Sequence, residues 1–220
     1  EKSLRSFKRK HLIDYIKKHY HPSKMVLSVS GSIGLEKVVK MANMYFSGSP
    51  AKGQVSQRTP FKKYKHSVVE QERAVTQVHY ISGIPGYALS DPRRYTLVLL
   101  NNLLGGPGMN SRLNLNVREK YGFTYTIETG YHTYSDTGIF FLYFATDSKH
   151  YDKTLQLANK ELEKLCEKPL GAKLFLQYRE QLLGQIMMAQ ENRLSVMLSK
   201  SKALLNFGKV ISVPEIQAKV

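Results

Sequence analysis

The strongest constraint on the fold of this chain is a hairpin pattern over residues 123–146. Phe123, Tyr125 and Ile127 alternate with polar residues, which is typical of a strand with one buried and one exposed face. Residues 135–138 read Ser-Asp-Thr-Gly, a composition that favours a tight turn. The apolar run that follows, IFFLYFA, predicts the antiparallel partner strand. The chain is therefore expected to contain antiparallel sheet.

Helical patterns surround this hairpin. Asp91 and Pro92 are an acidic N-cap and a proline at the first helical position, which predicts that a helix begins there. Apolar residues continue at helical spacing until Gly105. A second helix is predicted from about Ser111 to Lys120 and is stopped by Gly122. The other predicted strands lie at 64–69 and 74–82. A long helix is predicted from Asp147-Ser148 until Pro169 breaks it, and a longer helical pattern then extends to about Gly208. Ser212-x-x-Glu215 predicts a capping box that opens a further helix. Strands followed by helix pairs, with hairpins in place of a simple strand–helix alternation, predict an α+β fold in which helices pack on a largely antiparallel sheet.

The first part of the chain does not form a complete domain in this prediction. Residues 3–19 have the spacing of an amphipathic helix, and residues 25–30 (MVLSVS) favour a buried strand. Because a lone strand leaves backbone groups unpaired, we expect its partner strands to come from outside this chain. Residues 47–63 are rich in Gly, Pro, Ser and Lys, which indicates a linker. We predict a domain tail at 1–46 and a second domain at 64–220, truncated at its end.

Charge is the compositional feature that bears on partners. Lys and Arg number 33 against 17 Asp and Glu, a net charge of +16 at pH 7. This balance favours acidic partners such as nucleic acid, an anionic membrane or an acidic protein surface. The basic residues are spread along the chain, however, and their one dense cluster, Lys2 to Lys18, coincides with a predicted amphipathic helix. Most of them are therefore interpreted as solvated faces. One cysteine, Cys166, excludes an internal disulfide.

Several catalytic motifs are absent from the chain. Neither H-x-x-E-H nor H-E-x-x-H occurs, so no predicted helix carries a zinc-peptidase ligand pair. G-x-S-x-G and the Walker-type phosphate loop are missing too. Among the seven histidines the only close pair is His19 and His21, beside a proline, where solvated side chains are the simpler interpretation. No metal site is predicted in this chain.

The most informative segment is 103–125, LLGGPGMNSRLNLNVREKYGFTY. Gly105, Gly106 and Gly108 separate its two predicted helices, and glycine there permits positive φ and the close approach of another backbone. From these residues alone, a helix C-cap with a tight turn and a ligand-contacting loop both remain open.

Arg118 and Tyr125 are the candidate substrate-contacting residues of this segment. Arg118 falls in the last turn of the second helix, and a turn at Gly122 would bring Tyr125 on the next strand towards it. Guanidinium and phenol both donate hydrogen bonds and can hold a peptide carbonyl or the oxyanion of a tetrahedral intermediate. From residue chemistry alone, an Arg paired with a surface acid and a Tyr in the core are the simpler interpretation.

The same segment resembles the C-terminal-half signature of the pitrilysin/insulinase zinc peptidases, roughly LGG…SRL…lREk.GlaY. The matching positions are Ser111-Arg112-Leu113, Val117-Arg118-Glu119-Lys120, Gly122 and Tyr125. Residues 105–109 (GGPGM) resemble the glycine-rich loop in the non-catalytic subunit of mitochondrial processing peptidase. Residues 12–31 resemble the end of the catalytic half, so the resemblance covers most of residues 3–210.

This resemblance implies a division of labour between two homologous α+β halves that close like a clamshell around a chamber. The first half binds Zn²⁺ through H-x-x-E-H and a more distant Glu, and the second supplies an Arg and a Tyr that hold the substrate. Carried over by motif, those two are Arg118 and Tyr125, with the glycine loop at Gly105, Gly106 and Gly108. We therefore expect the substrate-binding C-terminal half of a zinc metalloendopeptidase, inactive alone because the zinc ligands lie elsewhere in the parent.

The expected partners follow from that assignment. They are a peptide or unfolded protein substrate and the zinc-bearing N-terminal half, in the same chain or in a separate subunit, and a dimer is compatible with both. We expect neither nucleic acid nor a membrane as a partner, and the cytoplasm as the compartment, with the periplasm as an alternative.

Two other interpretations remain open from the sequence. One is a non-catalytic peptidase-like subunit that binds peptides. The other is a basic nucleic-acid-binding domain, suggested by the net charge of +16. The apolar run Ile139–Phe144 favours a buried strand over the exposed aromatic platform of a single-strand binder.

Overall fold

The computed structural model describes residues 2–47 and 59–220 of the chain. These residues fall into two compact units. Unit 1 comprises residues 1–59 and 186–216, and unit 2 comprises residues 60–185 and 217–220.

Eight α-helices and three β-strands form in the described residues, together with 3₁₀ turns at Pro22–Lys24 and Ser148–His150 and a π-helical segment at Asn114–Glu119. The helices are α1 (Lys2–Arg5), α2 (Arg9–His19), α3 (Leu35–Phe46), α4 (Arg94–Gly105), α5 (Tyr151–Glu167), α6 (Ala172–Ala189), α7 (Arg193–Phe207) and α8 (Val213–Gln217). The strands are β1 (Val78–Gly86), β2 (Thr124–Thr133) and β3 (Gly138–Thr146). None of the described helices is long and apolar enough to cross a membrane.

Unit 2 is built on an antiparallel sheet of order β1-β3-β2. β2 and β3 form the predicted hairpin, and the N–H of Tyr134 donates to the carbonyl oxygen of Thr137 (2.8 Å) across its turn. In the central strand, Phe144 lies opposite Tyr80 of β1 and Ile127 of β2. This arrangement of helices and antiparallel sheet confirms the predicted α+β fold.

The core of unit 2 lies on one face of this sheet, under α4 and the π-helical segment. Phe144 is fully buried, and its ring centroid lies 4.9 Å from that of Tyr80. Because side chains alternate along a strand, the neighbouring residues point to the opposite face. The buried apolar residues of the described chain are Leu99, Leu103, Leu104, Leu113, Val117, Ile127, Leu142, Phe144, Ala145, Ala158, Tyr178 and Leu182.

Unit 1 has almost no buried interior. Among its described residues only His21, which was expected in solvent, is buried, and its Nε2 lies 3.1 Å from the carbonyl oxygen of Lys18. The apolar side chains of α2 and α3, such as Leu12 and Leu35, are exposed. Residues 25–30 form no strand, since no described segment pairs with them. That strands from outside the chain pair with residues 25–30 stays a prediction.

Two predicted boundaries before the sheet differ from the structure. Residues 64–69 form no strand, because they enter no backbone ladder with another described segment. The strand predicted at 74–82 is displaced to β1 and extends through Pro85 to Gly86. Proline is tolerated there because β1 is an edge strand of the described sheet.

The predicted linker falls mostly on residues 48–58, which lie outside the described part of the chain. The linker at 47–63 therefore stays a prediction, as do the domains at 1–46 and 64–220 on either side of it.

The helix ends that follow the sheet match their sequence signals. Gly208 ends α7 with φ +68°, the left-handed conformation that glycine adopts most readily. At the start of α8, the N–H of Ser212 donates to Glu215 Oε2 (2.8 Å) and the N–H of Glu215 to Ser212 Oγ (3.3 Å), which is the predicted capping box. Asn192 caps α7 by accepting the N–H of Ser195 (2.9 Å), so the long helix predicted there is interrupted.

Candidate functional site

The glycine-rich segment brings the end of α4 against β2. A Cβ at Gly105 would lie 2.6 Å from the backbone nitrogen of Thr129, and one at Gly106 would lie 2.7 Å from Cα of Asn102. Neither glycine has positive φ, a conformation confined in the described chain to Gly122 and Gly208. The close backbone approach allowed by the sequence is therefore present at Gly105, and the left-handed geometry is not.

Arg118 lies on a π-helical turn rather than in the regular helix that the sequence predicts. The N–H of Lys120 donates to the carbonyl oxygen of Leu115, five residues earlier. Gly122 ends the helix with φ +65°, and its N–H donates to the carbonyl oxygen of Arg118 (2.9 Å). Val117, fully buried beside Arg118, fixes the turn in the core. Single π-helical turns occur frequently at functional sites.

The guanidinium of Arg118 has only long contacts. Its side chain is 37 % exposed, and its Nη1 lies 3.5 Å from Asn114 Oδ1 and 3.9 Å from Glu119 Oε1. An exposed ion pair of this length contributes little to stability. An Arg engaged by a surface acid was the simpler interpretation of this residue. That ion pair uses only part of the hydrogen-bonding capacity of Arg118, because a guanidinium has five N–H donors.

Tyr125 is not in the core. Thr124 lies opposite Thr146 and Thr126 lies opposite Ala145, so Tyr125 is the additional residue of a β-bulge. The Thr124 hydroxyl stabilises the bulge because its one proton is shared between the carbonyl oxygens of Thr126 (2.7 Å) and Ala145 (2.5 Å). The alternation predicted for Phe123, Tyr125 and Ile127 is therefore wrong at its middle residue, which the bulge turns outwards to 84 % exposure.

Arg118 and Tyr125 line one cleft of about 280 Å³. Its other lining residues are Gly105, Gly106, Pro107, Asn114, Thr126, Ile127, Glu128 and Thr129. The structure thus brings together four of the five site residues selected from the sequence.

Gly108 lies beside another group of side chains. A Cβ there would meet Asn110 Oδ1 at 2.7 Å and Gln181 Nε2 at 2.8 Å. The amides of Asn110 and Gln181 exchange two hydrogen bonds, each 2.9 Å long. Gly108 therefore leaves room for a contact between the glycine segment and α6, and it does not line the cleft.

Sequence reasoning missed the two residues of the cleft that carry a carboxamide or a carboxylate, Asn114 and Glu128. Asn114 lies one helical turn before Arg118, and this spacing is the signal that would have found it. Glu128 is exposed on β2, as the alternation of that strand predicts, but no sequence signal places it in one cleft with Arg118. With these residues, the cleft carries one guanidinium, one carboxylate, one carboxamide and one phenol.

A zinc ion does not fit the described residues of this chain. The described residues contain no group of three or more His, Cys, Asp or Glu side chains that could hold a metal ion. The cleft therefore provides hydrogen-bond donors and acceptors, and it provides no metal ligand set.

Comparisons with known proteins place these features in a family. A family model described as "Peptidase M16 inactive domain" matches residues 6–182. The chain is 32 % identical over 217 residues to an "Uncharacterized zinc protease" of Rickettsia felis and 29 % identical over 218 residues to the "Uncharacterized zinc protease YmxG" of Bacillus subtilis. Each alignment covers 98 % of this chain and 52 % of the relative.

More distant relatives agree with this placement. The human mitochondrial-processing peptidase subunit beta is 22 % identical over 227 residues, which cover 99 % of this chain and 46 % of that protein. The chain spans about half the length of the curated relatives it matches.

Solved structures share the fold. The crystal structure of a peptidase M16 inactive domain from Pseudomonas fluorescens aligns with a TM-score of 0.74 at 20 % identity, over 99 % of this chain and 55 % of that one. A chain of Complex III2 from Candida albicans aligns with a TM-score of 0.80 at 18 % identity, over 99 % and 54 %. The resemblance found in the sequence is confirmed, and the chain belongs to peptidase family M16, in the region that the family model describes as the inactive domain.

Proposed function

We propose that this chain is the substrate-binding half of a zinc metalloendopeptidase, which holds an extended peptide against the zinc-bearing half of its parent. The observation that carries the proposal is the cleft at the end of α4, where the exposed phenol of Tyr125 and the weakly engaged guanidinium of Arg118 line the same space. A site with two convergent donors is suited to a peptide carbonyl, or to the negative charge that develops on it during hydrolysis.

Local structure fixes the backbone at both donor residues before a peptide arrives. Arg118 lies on the π-helical turn beside the buried Val117, and Tyr125 lies on the bulge held by Thr124. Both side chains are accessible, so a bound peptide can accept hydrogen bonds from donors that the protein engages only weakly. Donors placed by a fixed backbone support a role in binding and in transition-state stabilisation.

The zinc ion and the general base belong, in this proposal, to the other half of the parent. The described residues of this chain fit no metal, so hydrolysis is not expected from the chain alone. Two observations support the division: the relatives named as zinc proteases are about twice as long, and the apolar faces of α2 and α3 are exposed, as expected for helices that pack against a partner.

The test compares this chain with its intact parent on a quenched, unfolded peptide, with and without a zinc chelator. We expect cleavage by the parent only, stopped by the chelator. In the parent, Arg118→Ala should lower kcat/KM by about 100-fold, the loss typical of one oxyanion donor, and Tyr125→Phe should lower it in the same direction. Tyr134→Phe, which removes an exposed phenol at the far end of the same hairpin, is the matched control and should leave the rate unchanged.

Other outcomes lead to different conclusions. Wild-type turnover in both Arg118→Ala and Tyr125→Phe would refute the assignment of these residues. Absence of cleavage by the parent, with peptide binding retained by this chain, would favour the non-catalytic peptide-binding subunit instead.

A further inference from the structure

We propose that the uncovered face of the sheet in unit 2 binds an aromatic side chain of the peptide held by Arg118 and Tyr125. This face, called here the open face, carries a strip of four rings. The strip consists of His79, Tyr143, Phe141 and His132. The inference rests on the proposed function, since it assigns a side-chain preference to the same substrate.

Strand register defines the open face. Ile81, Tyr143 and Glu128 lie side by side in one row across the three strands, and Gly83, Phe141 and Gly130 form the next row. Residues of opposite parity, such as Phe144 and Ile127, point into the core. On the open face Ile81 is 68 % exposed, Glu128, His79 and His132 are exposed, and Phe141 and Tyr143 are half-buried. These exposures show that unit 2 leaves much of this face accessible, with residues 64–71 lining a space beside His79, Ile81 and Gly83 at its β1 edge.

The rings of the strip are held by specific contacts. His79 Nδ1 lies 2.9 Å from the Tyr143 hydroxyl, with ring centroids 6.1 Å apart and planes inclined by 25°. The His132 and Phe141 centroids are 5.6 Å apart, with planes inclined by 28°. A Cβ at Gly130 would overlap the Phe141 ring, so the glycine lets that ring lie flat on the sheet. Rings fixed in this way offer their faces and edges to a further ring.

Charge favours a peptide side chain over a nucleic acid as the occupant. The rows of the open face contain no Lys or Arg in the described strands, and their only carboxylate is Glu128. Single-strand binders pair aromatic stacking with a positively charged groove for the phosphates, which this face lacks. The net charge of +16 therefore resides elsewhere, and the strip suits an uncharged aromatic group.

The strip continues from the cleft. Thr126 and Glu128 lie on the open face and also line the cleft with Tyr125. Phe141 lies opposite Gly130, four residues along β2 from Thr126. Since a strand rises about 3.3 Å per residue, this separation is about 13 Å, or roughly four residues of an extended peptide. The proposed substrate thus carries an aromatic residue about four positions from the one at Arg118 and Tyr125.

The experiment measures peptide binding to the whole 220-residue chain by calorimetry. The probes are two unlabelled twelve-residue peptides of Ser, Gly and Ala, one with a single Phe near its centre and one with Ala at that position. The test variant, Ile81→Lys, puts a charge beside Tyr143, and the matched control is Ile84→Lys. Ile84 lies on the same strand, is 59 % exposed compared with 68 % for Ile81, and points to the opposite side of the sheet.

We expect the wild-type chain to bind the Phe peptide about tenfold more tightly than the Ala peptide, the gain from partly burying one aromatic ring. Ile81→Lys should abolish that preference, and Ile84→Lys should keep it. Thermal unfolding of both variants checks that the fold is retained.

Four results would overturn the inference. Equal binding of both peptides to wild type, with Arg118→Ala weakening each, would refute the strip and leave the proposed function standing. Equal loss of preference in Ile81→Lys and Ile84→Lys would refute the choice of face. A wild-type dimer in sedimentation that Ile81→Lys converts to monomer would show that the open face binds a second copy of this chain. Binding of neither peptide would count against both the inference and the proposed function.

Discussion

Replacement of Gly105 by alanine tests whether the approach of α4 to β2 builds the cleft. The added Cβ would lie 2.6 Å from the backbone nitrogen of Thr129 and 2.9 Å from its Oγ1. Ordinary contact begins near 3.4 Å, so α4 and β2 must separate by about 0.8 Å. Overpacking of this kind costs about 1–3 kcal/mol, and the obstructing atom is backbone, which yields less readily than a side chain.

This cost predicts both a lower stability and a weaker site. For a chain of this size, 1 kcal/mol corresponds to about 2–4 °C, so Gly105→Ala should lower Tm by roughly 2–12 °C. A displacement approaching 1 Å at the wall of a site can reduce activity by as much as about 100-fold, so peptide binding or turnover should fall more than stability predicts. The measurements are circular dichroism melting and calorimetric peptide binding.

The matched control is Gly184→Ala in the middle of α6. A Cβ there meets nothing within 4 Å, so the substitution gains helix propensity without a clash. That gain is about 0.8–1 kcal/mol, so Tm should rise by a few degrees while peptide binding stays unchanged. If Gly105→Ala melted at or above the wild-type temperature, the argument that close backbone contact requires glycine at this position would be refuted.

Three further predictions concern the bulge and the titrating groups. Thr124→Val should cost about 1–3 kcal/mol in urea unfolding through the lost hydrogen bonding of its hydroxyl. If the bulge straightens, the part of the iodide-quenched tyrosine fluorescence that Tyr125→Phe removes should become smaller in Thr124→Val, and an unchanged part would contradict this. Burial raises the pKa of Tyr131 and of Tyr151, so a titration followed by absorbance at 295 nm should show phenols that ionise later than the others. The contribution of these two phenols to stability is complete below about pH 10 and should be lost as pH rises through their raised pKa values. The N–H of Ser212 donates to the carboxylate of Glu215 and lowers the pKa of that carboxyl. The contribution of Glu215 to stability is present above about pH 4.3 and should be lost as pH falls through the lowered pKa. An ordinary midpoint in an NMR titration of the Glu215 carboxyl carbon would contradict this.

The parts of the fold that sequence predicted correctly depend on local chemistry. The turn before Gly138, the helix stop at Gly122 and the capping box at Ser212 each depend on residues that are close in sequence. Backbone conformation and short-range hydrogen bonds determine such features wherever they occur. The α+β fold followed from these local signals, because hairpins and helix pairs leave few ways to cover one face of a sheet.

The parts that were missed depend on residues far apart in sequence. Residues 64–69 have a strand-like composition and line a space beside β1, but they form no backbone ladder with it, and composition alone cannot establish one. The outward orientation of Tyr125 depends on a hydrogen bond between Thr124 and Ala145 of the next strand, which alternation over a single strand cannot reveal. Glu128 was missed although alternation places it correctly on the exposed face, because only the tertiary approach of α4 and the π-helical segment brings it into one cleft with Arg118.

The cleft arises where three departures from regular geometry meet. Gly105 lets α4 approach β2 more closely than a side chain allows, the π-helical turn sets the direction of Arg118, and the bulge turns Tyr125 away from the core. Each departure gives up regular backbone hydrogen bonding or packing, and such departures persist when the surrounding structure holds them. Because the buried Val117 and the hydroxyl of Thr124 supply that support, the site depends on residues that do not donate to the substrate. Substitutions of these supporting residues should therefore reduce peptide binding even where Arg118 and Tyr125 are unchanged.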